Sequence, residues 1–473
     1  MERACAWNKY DALQLEELEN LASAYTAFIS NNKTERECVR SAVDLAEAAG
    51  YRNLNDLIST ETPLEPGSRV YASNRGKSLI LVEIGTKPLT EGMNILGAHV
   101  DSPRLDVKQN PLEEKNDLAY LDTHYYGGIK KYQWVTLPLA IHGVVAKKDG
   151  SVVPVRVGEN PRDPVFVITD LLIHLSQEQL QKKAAQVIEG EMLDLLVGHR
   201  PLKIDAVKSK GEGDDADAKD PVKAQLLDLL AKTYDIDEED FLSAELEIVP
   251  AGPARDLGFD RSMILGYGHD DRSCSYPSLQ AQLSLKEIPT RTALTILVDK
   301  EEIGSVGATG MTSRFFENTV AEILALAGHG ESMLALRRCL ARSHMLSSDV
   351  SAGYDPSFAS AFEPKNAAYL GRGLAFNKFT GRGGKSGSND ADAEYVALIR
   401  RIMDEHDVTW QTAELGKIDV GGGGTIAYIL AKYGMHVIDC GVPVLSMHAP
   451  WEVISKADLY EAYRGYQAFL ALE

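Results

Sequence analysis

Residues 294–305, LTILVDKEEIGS, place three carboxylates, Asp299, Glu301 and Glu302, directly behind an apolar run of strand type. Adjacent carboxylates repel unless a cation or a proton intervenes. One can bind a divalent metal while its neighbour handles the protons of a metal-bound water. An isolated DxEE is more often an exposed acidic turn, so its company decides its meaning. That company is four further clusters: NILGAHVDSP with His99 and Asp101, GYGHDDRSCS with Asp270 and Asp271, HMLSSDVSAGYDP with Asp349, and VIDCGVPVLSMHAP with His448. In HxD the imidazole can bind metal while the carboxylate accepts its second N–H. Alone, each cluster is equally a helix cap, a turn or a satisfied structural histidine. Together, two histidines, several carboxylates and one spare glutamate fit two metals that share a bridging acid and lie roughly 3.5–4 Å apart.

The elements that must position these groups read as an α/β chain. Residues 10–50 carry two helical patterns, with Thr34 and Glu37 as a capping box and Gly50 as a stop. Residues 69–72, 78–84 and 94–100 look like strands. After about residue 107 the character changes, with strand-like pieces at 134–145 and 152–157 and helical ones at 168–180 and 222–233. Between them KSKGEGDDADAKDP, residues 208–221, reads as a mobile surface loop. A second strand and helix series runs from about Ala244 to a C-terminal helix at 455–472. The expected partition is one α/β domain from residues 1–107 and 250–473, with residues 108–249 inserted. In open α/β sheets ligands sit beyond the carboxyl ends of the strands, where these clusters fall.

Composition narrows the function classes. The chain has 473 residues, 44% hydrophobic and 25% charged, an ordinary globular balance. Its formal charge of −20, from 49 basic and 69 acidic residues, argues against a general nucleic-acid or anionic-membrane surface. Five scattered cysteines without a CxxC, no apolar leader at the N-terminus and no run of spanning length point to a cytoplasmic protein.

The order HxD, DD, DxEEIGS, SSD, MH resembles the aspartyl aminopeptidase family of zinc metallopeptidases, in its bacterial branch, over nearly the whole chain. The resemblance implies a three-layer α/β/α catalytic domain with an inserted, mainly β dimerisation domain. It implies two divalent ions, zinc first, with cobalt or manganese as alternatives at one site. His99, Asp270 and Asp349 would hold one ion; Asp270, Glu302 and His448 would hold the other. Asp270 is taken over Asp271 as the bridge because related motifs use the first acid of such a pair. Glu301 would be the general base and Asp101 the carboxylate behind His99. The family's dodecamers, built from dimers, bring a neighbour's histidine to the substrate pocket, and DLLIHLSQ offers His174 for that role.

Two departures bear on specificity. The text YYGGIKKYQWVTLPL lacks the family's D-R-D triplet, and FNKFTGRGGKSGSNDADAEY stands where N-x-R-Y-A is usual. Lys378, Arg382 and Lys385 could meet a substrate carboxylate there, or form a solvated basic loop. Glycines 421–424 precede a helical pattern, and their N–H groups could approach a substrate carbonyl. The function expected is therefore N-terminal residue removal from peptides by a metal-bound hydroxide. A related two-metal deacylase and a non-catalytic assembly protein of the same fold are the alternatives.

Overall fold

The computed structural model describes residues 4–202 and 220–473. It divides into two compact units: Met1–Ser102, Pro253–Met447 and Trp451–Glu473 form the first, and Pro103–Gly252 with His448–Pro450 the second.

The first unit is built on a nine-stranded mixed sheet. Its strand order is Arg52–Asn53, Arg69–Asn74, Ser78–Glu83, Thr292–Val298, Met93–His99, His344–Ser348, His436–Gly441, Leu374–Asn377 and Trp410–Thr412. The four strands Thr292–Val298, Met93–His99, His344–Ser348 and His436–Gly441 run parallel to one another. Every residue of Thr292–Val298 is buried, as its uninterrupted apolar run predicts for a strand covered on both faces. Successive side chains point to opposite faces, so Leu96, Leu346 and Ile438 enter one core while Ile95, Met345 and Val437 enter the other.

Helices close both faces. Ala12–Asn31, Glu35–Ala48, His269–Leu283, Ala393–Glu405 and Lys456–Leu470 supply the first core, and Phe315–Leu324 and Met333–Ala341 pack into the second. The capping box at Thr34 forms, its hydroxyl accepting the Glu37 N–H at 3.2 Å. A smaller five-stranded sheet, which includes Met263–Gly266 and Glu452–Ser455, completes this unit.

The second unit is β-rich. Its six strands, in the order Val152–Val157, Leu139–Ala146, Ala244–Pro250, Arg104–Lys115, Leu118–Tyr126 and Leu195–Gly198, pair wholly antiparallel. The three-layer α/β architecture with a β-rich companion is therefore present.

Several local expectations change. Residues 168–180 form no helix; they carry only the short 3-10 turns Ile173–Leu175 and Gln179–Gln181. Leu171, Leu172, Ile173 and Leu175 are all exposed, so no packed face exists to stabilise a helix. The strand expected from residue 134 begins at Leu139, after Pro138, which cannot donate to a ladder. Glycines 421–424 do not open a helix: the nearest is Ala427–Ala431, and the Gly421 N–H already donates to Lys417 O at 2.9 Å. Of the loop expected at 208–221, residues 208–219 lie outside the described residues, and Pro221 opens the helix Pro221–Tyr234. Among the described residues no helix is long and apolar enough to cross a membrane.

Candidate metal centre

The parallel strands deliver their polar residues side by side. In register, Val298 stands opposite His99, so the turn after one strand begins where the imidazole of the next projects. Lys300 takes a left-handed backbone (φ 69°), and Glu301–Ile303 closes as a 3-10 turn. The two N–H groups of that turn point at Asp101. Its Oδ1 accepts the Glu301 N–H and its Oδ2 the Glu302 N–H, both at 3.2 Å. Across the same sheet, His344–Ser348 presents Asp349, whose N–H donates to Cys440 O at 2.8 Å. A Cβ at Gly441 would stand 1.9 Å from the Asp349 carbonyl oxygen, so only glycine lets the two chains approach this closely.

Asp270 and Asp271 sit in the first turn of His269–Leu283, both off helical geometry. Asp270 is fixed from two sides: its N–H donates to Glu452 Oε2 at 3.0 Å, and its carbonyl accepts the Ser102 hydroxyl at 2.6 Å. Its Oδ1 then lies 3.2 Å from His99 Nε2, while Asp349 Oδ1 lies 3.9 Å from the same nitrogen. Asp271 faces the backbone, its Oδ2 accepting the His99 N–H at 3.0 Å. His99 Nδ1 stands 3.0 Å from the Asp101 carbonyl and 3.3 Å from its Oδ1. With Nδ1 so engaged, Nε2 is the ligand atom.

These groups are held away from water, and their proton affinities reflect it. Burial pushes the Asp349 carboxyl well above the usual range, and the nearby Glu301 charge adds to the effect. Burial raises Asp271 as well, with His99 acting against it. For His99 burial disfavours the charge, yet hydrogen bonds to Asp101 and Asp270 outweigh it and raise the imidazole well above its ordinary value. So much buried negative charge around one imidazole calls for compensating positive charge.

Among the described residues, three sets of side chains bring ligand atoms within 4.8 Å of one another: His99, Asp270 and Glu302; His99, Glu301 and Asp349; and Asp270, Asp271 and Asp349. An oxygen-rich donor set with one imidazole and no thiolate suits zinc, manganese or cobalt. Among the described residues, Asp271 Oδ1 is buried without a geometric hydrogen-bond partner, which adds to the buried acidity of the cluster. The residues fit a divalent metal.

A family model described as aminopeptidase I zinc metalloprotease (M18) matches residues 28–470. A probable M18 family aminopeptidase 1 from Clostridium acetobutylicum is 60% identical over 465 residues, 98% of this chain and 97% of its own. The crystal structure of an M18 family aminopeptidase from Thermotoga maritima superposes with a TM-score of 0.92 at 42% identity, covering 99% of each chain. The S. cerevisiae mApe1 dodecamer shares the fold, with a TM-score of 0.75 at 20% identity over 95% of this chain and 96% of that one. The chain belongs to the M18 zinc metalloprotease family. It is a metalloaminopeptidase of the kind its motif order resembled.

The remaining expected residues of this M18 chain are placed as follows. His448 falls in the second unit, half-buried, with Nδ1 2.9 Å from Gly128 O. His174 is exposed on the 3-10 turn Ile173–Leu175, not on a helix. Lys378 and Lys385 both pair with Asp390, the second at 3.0 Å, while Arg382 is exposed. Sequence reasoning missed the supports Glu452, Ser102 and Arg272. Arg272 is buried and donates to Lys33 O at 2.9 Å and Val100 O at 3.2 Å. Only the adjacency of Arg272 to the DD pair could have signalled it; Glu452 carries no local motif.

Asp101 meets both the Glu301–Glu302 turn and His99, so its replacement is informative. Asp101→Asn keeps the shape but puts an N–H₂ where one of the two turn N–H groups needs an acceptor. Zinc affinity is expected to fall about 10–100-fold, the usual cost of losing a partner behind a ligating histidine. A chelator-competition titration reads this directly, and unchanged affinity would remove Asp101 from the centre.

Proposed function

We propose that the chain removes N-terminal residues from peptides with two divalent ions, zinc first, shared by a bridging Asp270. His99 and Asp349 complete one site, and Glu302 the other, with His448 proposed as its remaining ligand from its motif. The observation that carries this reading is that Asp270 lies in two donor sets, with His99 and Glu302 in one and with Asp271 and Asp349 in the other, so it reaches ligands proposed for both ions. Ions held there supply Lewis acidity, polarising a scissile carbonyl and making water easier to deprotonate. Glu301 serves as general base: it takes the proton of the attacking water and returns it to the leaving amine. Its carboxylate approaches both His99 and Asp349, while its backbone is anchored to Asp101. Asp271 holds the His99 backbone, which favours Asp270 as the bridge.

Glu301→Gln is expected to keep the fold and bound zinc and to lose at least the roughly 10²–10⁴-fold that general-base catalysis supplies. Turnover on a leucyl peptide with parallel zinc analysis measures this. Near-normal turnover would sink the assignment, and a preference for N-acyl over aminoacyl substrates would point to a deacylase.

For specificity, we read a broad enzyme that favours neutral N-terminal residues. Lys378 and Lys385 share the internal counter-charge Asp390, and Lys385 also lies over the Phe379 ring at 3.8 Å. Cations so engaged are poor anchors for a substrate carboxylate. The test compares kcat/KM for N-terminal Asp, Glu, Leu and Ala on one peptide body. An acidic preference of about tenfold or more, equivalent to about 1.4 kcal/mol and abolished by Lys385→Ala, would overturn this reading.

The second unit is proposed as the dimerisation module of a homododecamer, with His174 acting on a neighbour's substrate. Exposed Leu171, Leu172, Ile173 and Leu175 flank that histidine, an apolar cluster of the kind that marks interaction sites. The dodecameric state of the yeast mApe1 structure supports the same assembly. Five free cysteines, four of them buried, support a cytoplasmic location. Sedimentation is expected to give a large symmetric particle with a dimer as building unit. A fully active monomer at low concentration would remove both the assembly and the role of His174.

A further inference from the structure

The four parallel strands that end at the candidate metal centre begin around a second polar feature. An open, solvent-facing cavity of about 520 Å³ is lined by Glu91, Arg291, Ala341, Arg342, His344 and His436. Arg291 immediately precedes Thr292–Val298, His344 opens His344–Ser348, His436 opens His436–Gly441, and Glu91 lies two residues before Met93–His99. In a chain of net charge −20, four of six lining residues carry cationic or protonatable nitrogen.

The groups are held in place. Arg291 is buried, with 9% of its surface exposed, and its Nη2 donates to Arg342 O at 2.6 Å. Arg342 Nη1 donates to Thr90 O at 3.2 Å. Both imidazoles stack on the Tyr395 ring, His344 at 5.6 Å and His436 at 5.4 Å between centroids. Gly92 permits this packing, because a Cβ there would stand 2.6 Å from Arg291 Nη2.

Two buried nitrogens of this lining, Arg291 Nε and His344 Nδ1, lack hydrogen-bond partners among the described residues. The opposing charges are Glu91, in the lining, and Asp392, which is 2.8 Å from His436 Nδ1. Burial, Arg291 and His436 together push the His344 imidazole down to about 4. Burial comes first among these causes; the neighbouring positive charges act in the same direction, and an anion placed beside them would act against both.

We propose that this cavity is a binding site for a tetrahedral dianion, inorganic phosphate or the terminal phosphate of a small metabolite, gripped by Arg291, Arg342, His344 and His436. Metal is disfavoured because two guanidinium groups share the lining with the imidazoles. Arg342 and the histidines offer donors at the rim, and the buried Arg291 supplies a charge that water screens little.

Equilibrium dialysis of the intact zinc-loaded protein with radiolabelled phosphate, and with methyl phosphate as competitor, tests the site. Arg342→Gln is expected to weaken phosphate binding about tenfold and Glu91→Gln to tighten it, as removal of one charged partner on either side implies. Both variants should leave kcat/KM on a leucyl peptide in phosphate-free buffer unchanged. Sulfate, whose charge is constant from pH 8 to 5.5, should bind more tightly as pH falls. The anion raises the depressed His344 proton affinity, so binding takes up a proton. Competition by methyl phosphate at least as strong as by phosphate identifies a metabolite headgroup, and weaker competition the free ion. Binding that vanishes on zinc removal while both variants behave as wild type would place phosphate at the metal centre and overturn the proposal. So would no binding at millimolar phosphate.

Discussion

The Asp101 carboxylate is the constraint on which the metal-centre geometry depends. It belongs to the chain leaving Met93–His99, yet it accepts both N–H groups of the turn leaving Thr292–Val298. One acid thus fixes the neighbouring glutamates, Glu301 and Glu302, while contacting His99 Nδ1. Asp101 is fully buried, so these charge-assisted bonds are not diluted by water. Adjacent residues on a tight turn point apart, and with their backbone pinned, Glu301 and Glu302 can take different tasks.

The polarity of the sheet follows from side chains. Strand dipoles contribute little net field, so any difference between the two ends of a parallel sheet must be built from charged residues. At the carboxyl ends stand Asp101, Asp270, Asp271, Asp299 and Asp349; at the amino ends stand Arg291, Arg342, His344 and His436. Separating the two clusters by the length of the strands lets each charge state exist without cancelling the other. Asp299 shows how the acidic end is kept structural where it is not catalytic: its carboxylate accepts the Thr309 hydroxyl at 2.5 Å and meets Lys300 Nζ at 3.3 Å.

What the sequence disclosed was whatever local spacing encodes. The buried strand at 292–298, the capping box at Thr34 and the helix near residue 456 are patterns of period and neighbour, and they formed as read. The clustering of His99, Asp270, Glu301, Glu302 and Asp349 was readable because each acid or imidazole follows a strand or opens a helix. What failed needed tertiary knowledge. Residues 168–180 have helical spacing, but spacing cannot say whether a face will be packed, and Leu172 and Ile173 are exposed. The contact of Glu452 with Asp270 spans 182 positions and leaves no local trace. The pairing of Lys378 and Lys385 with Asp390 likewise depends on how the loop folds back on itself, which spacing alone does not encode.

The same distances explain why an insertion can be tolerated where it occurs. Asp101 and Glu301 are 200 positions apart, and His99 and Asp271 are 172 apart. Loop-closure entropy grows only with the logarithm of length, so each doubling adds about 0.6 kcal/mol. A whole folded unit between Ser102 and Pro253 therefore costs the metal centre little, provided the chain ends are fixed on the catalytic side. Ser102 does this on the outgoing strand, its hydroxyl bound to the Asp270 carbonyl at 2.6 Å. On the return, the Ala254 N–H donates to Ser30 Oγ at 3.0 Å, tying the re-entering chain to the helix Ala12–Asn31. Anchored at both crossings, the first unit can keep the register of its own ligands, His99, Asp270, Glu302 and Asp349, across the insertion.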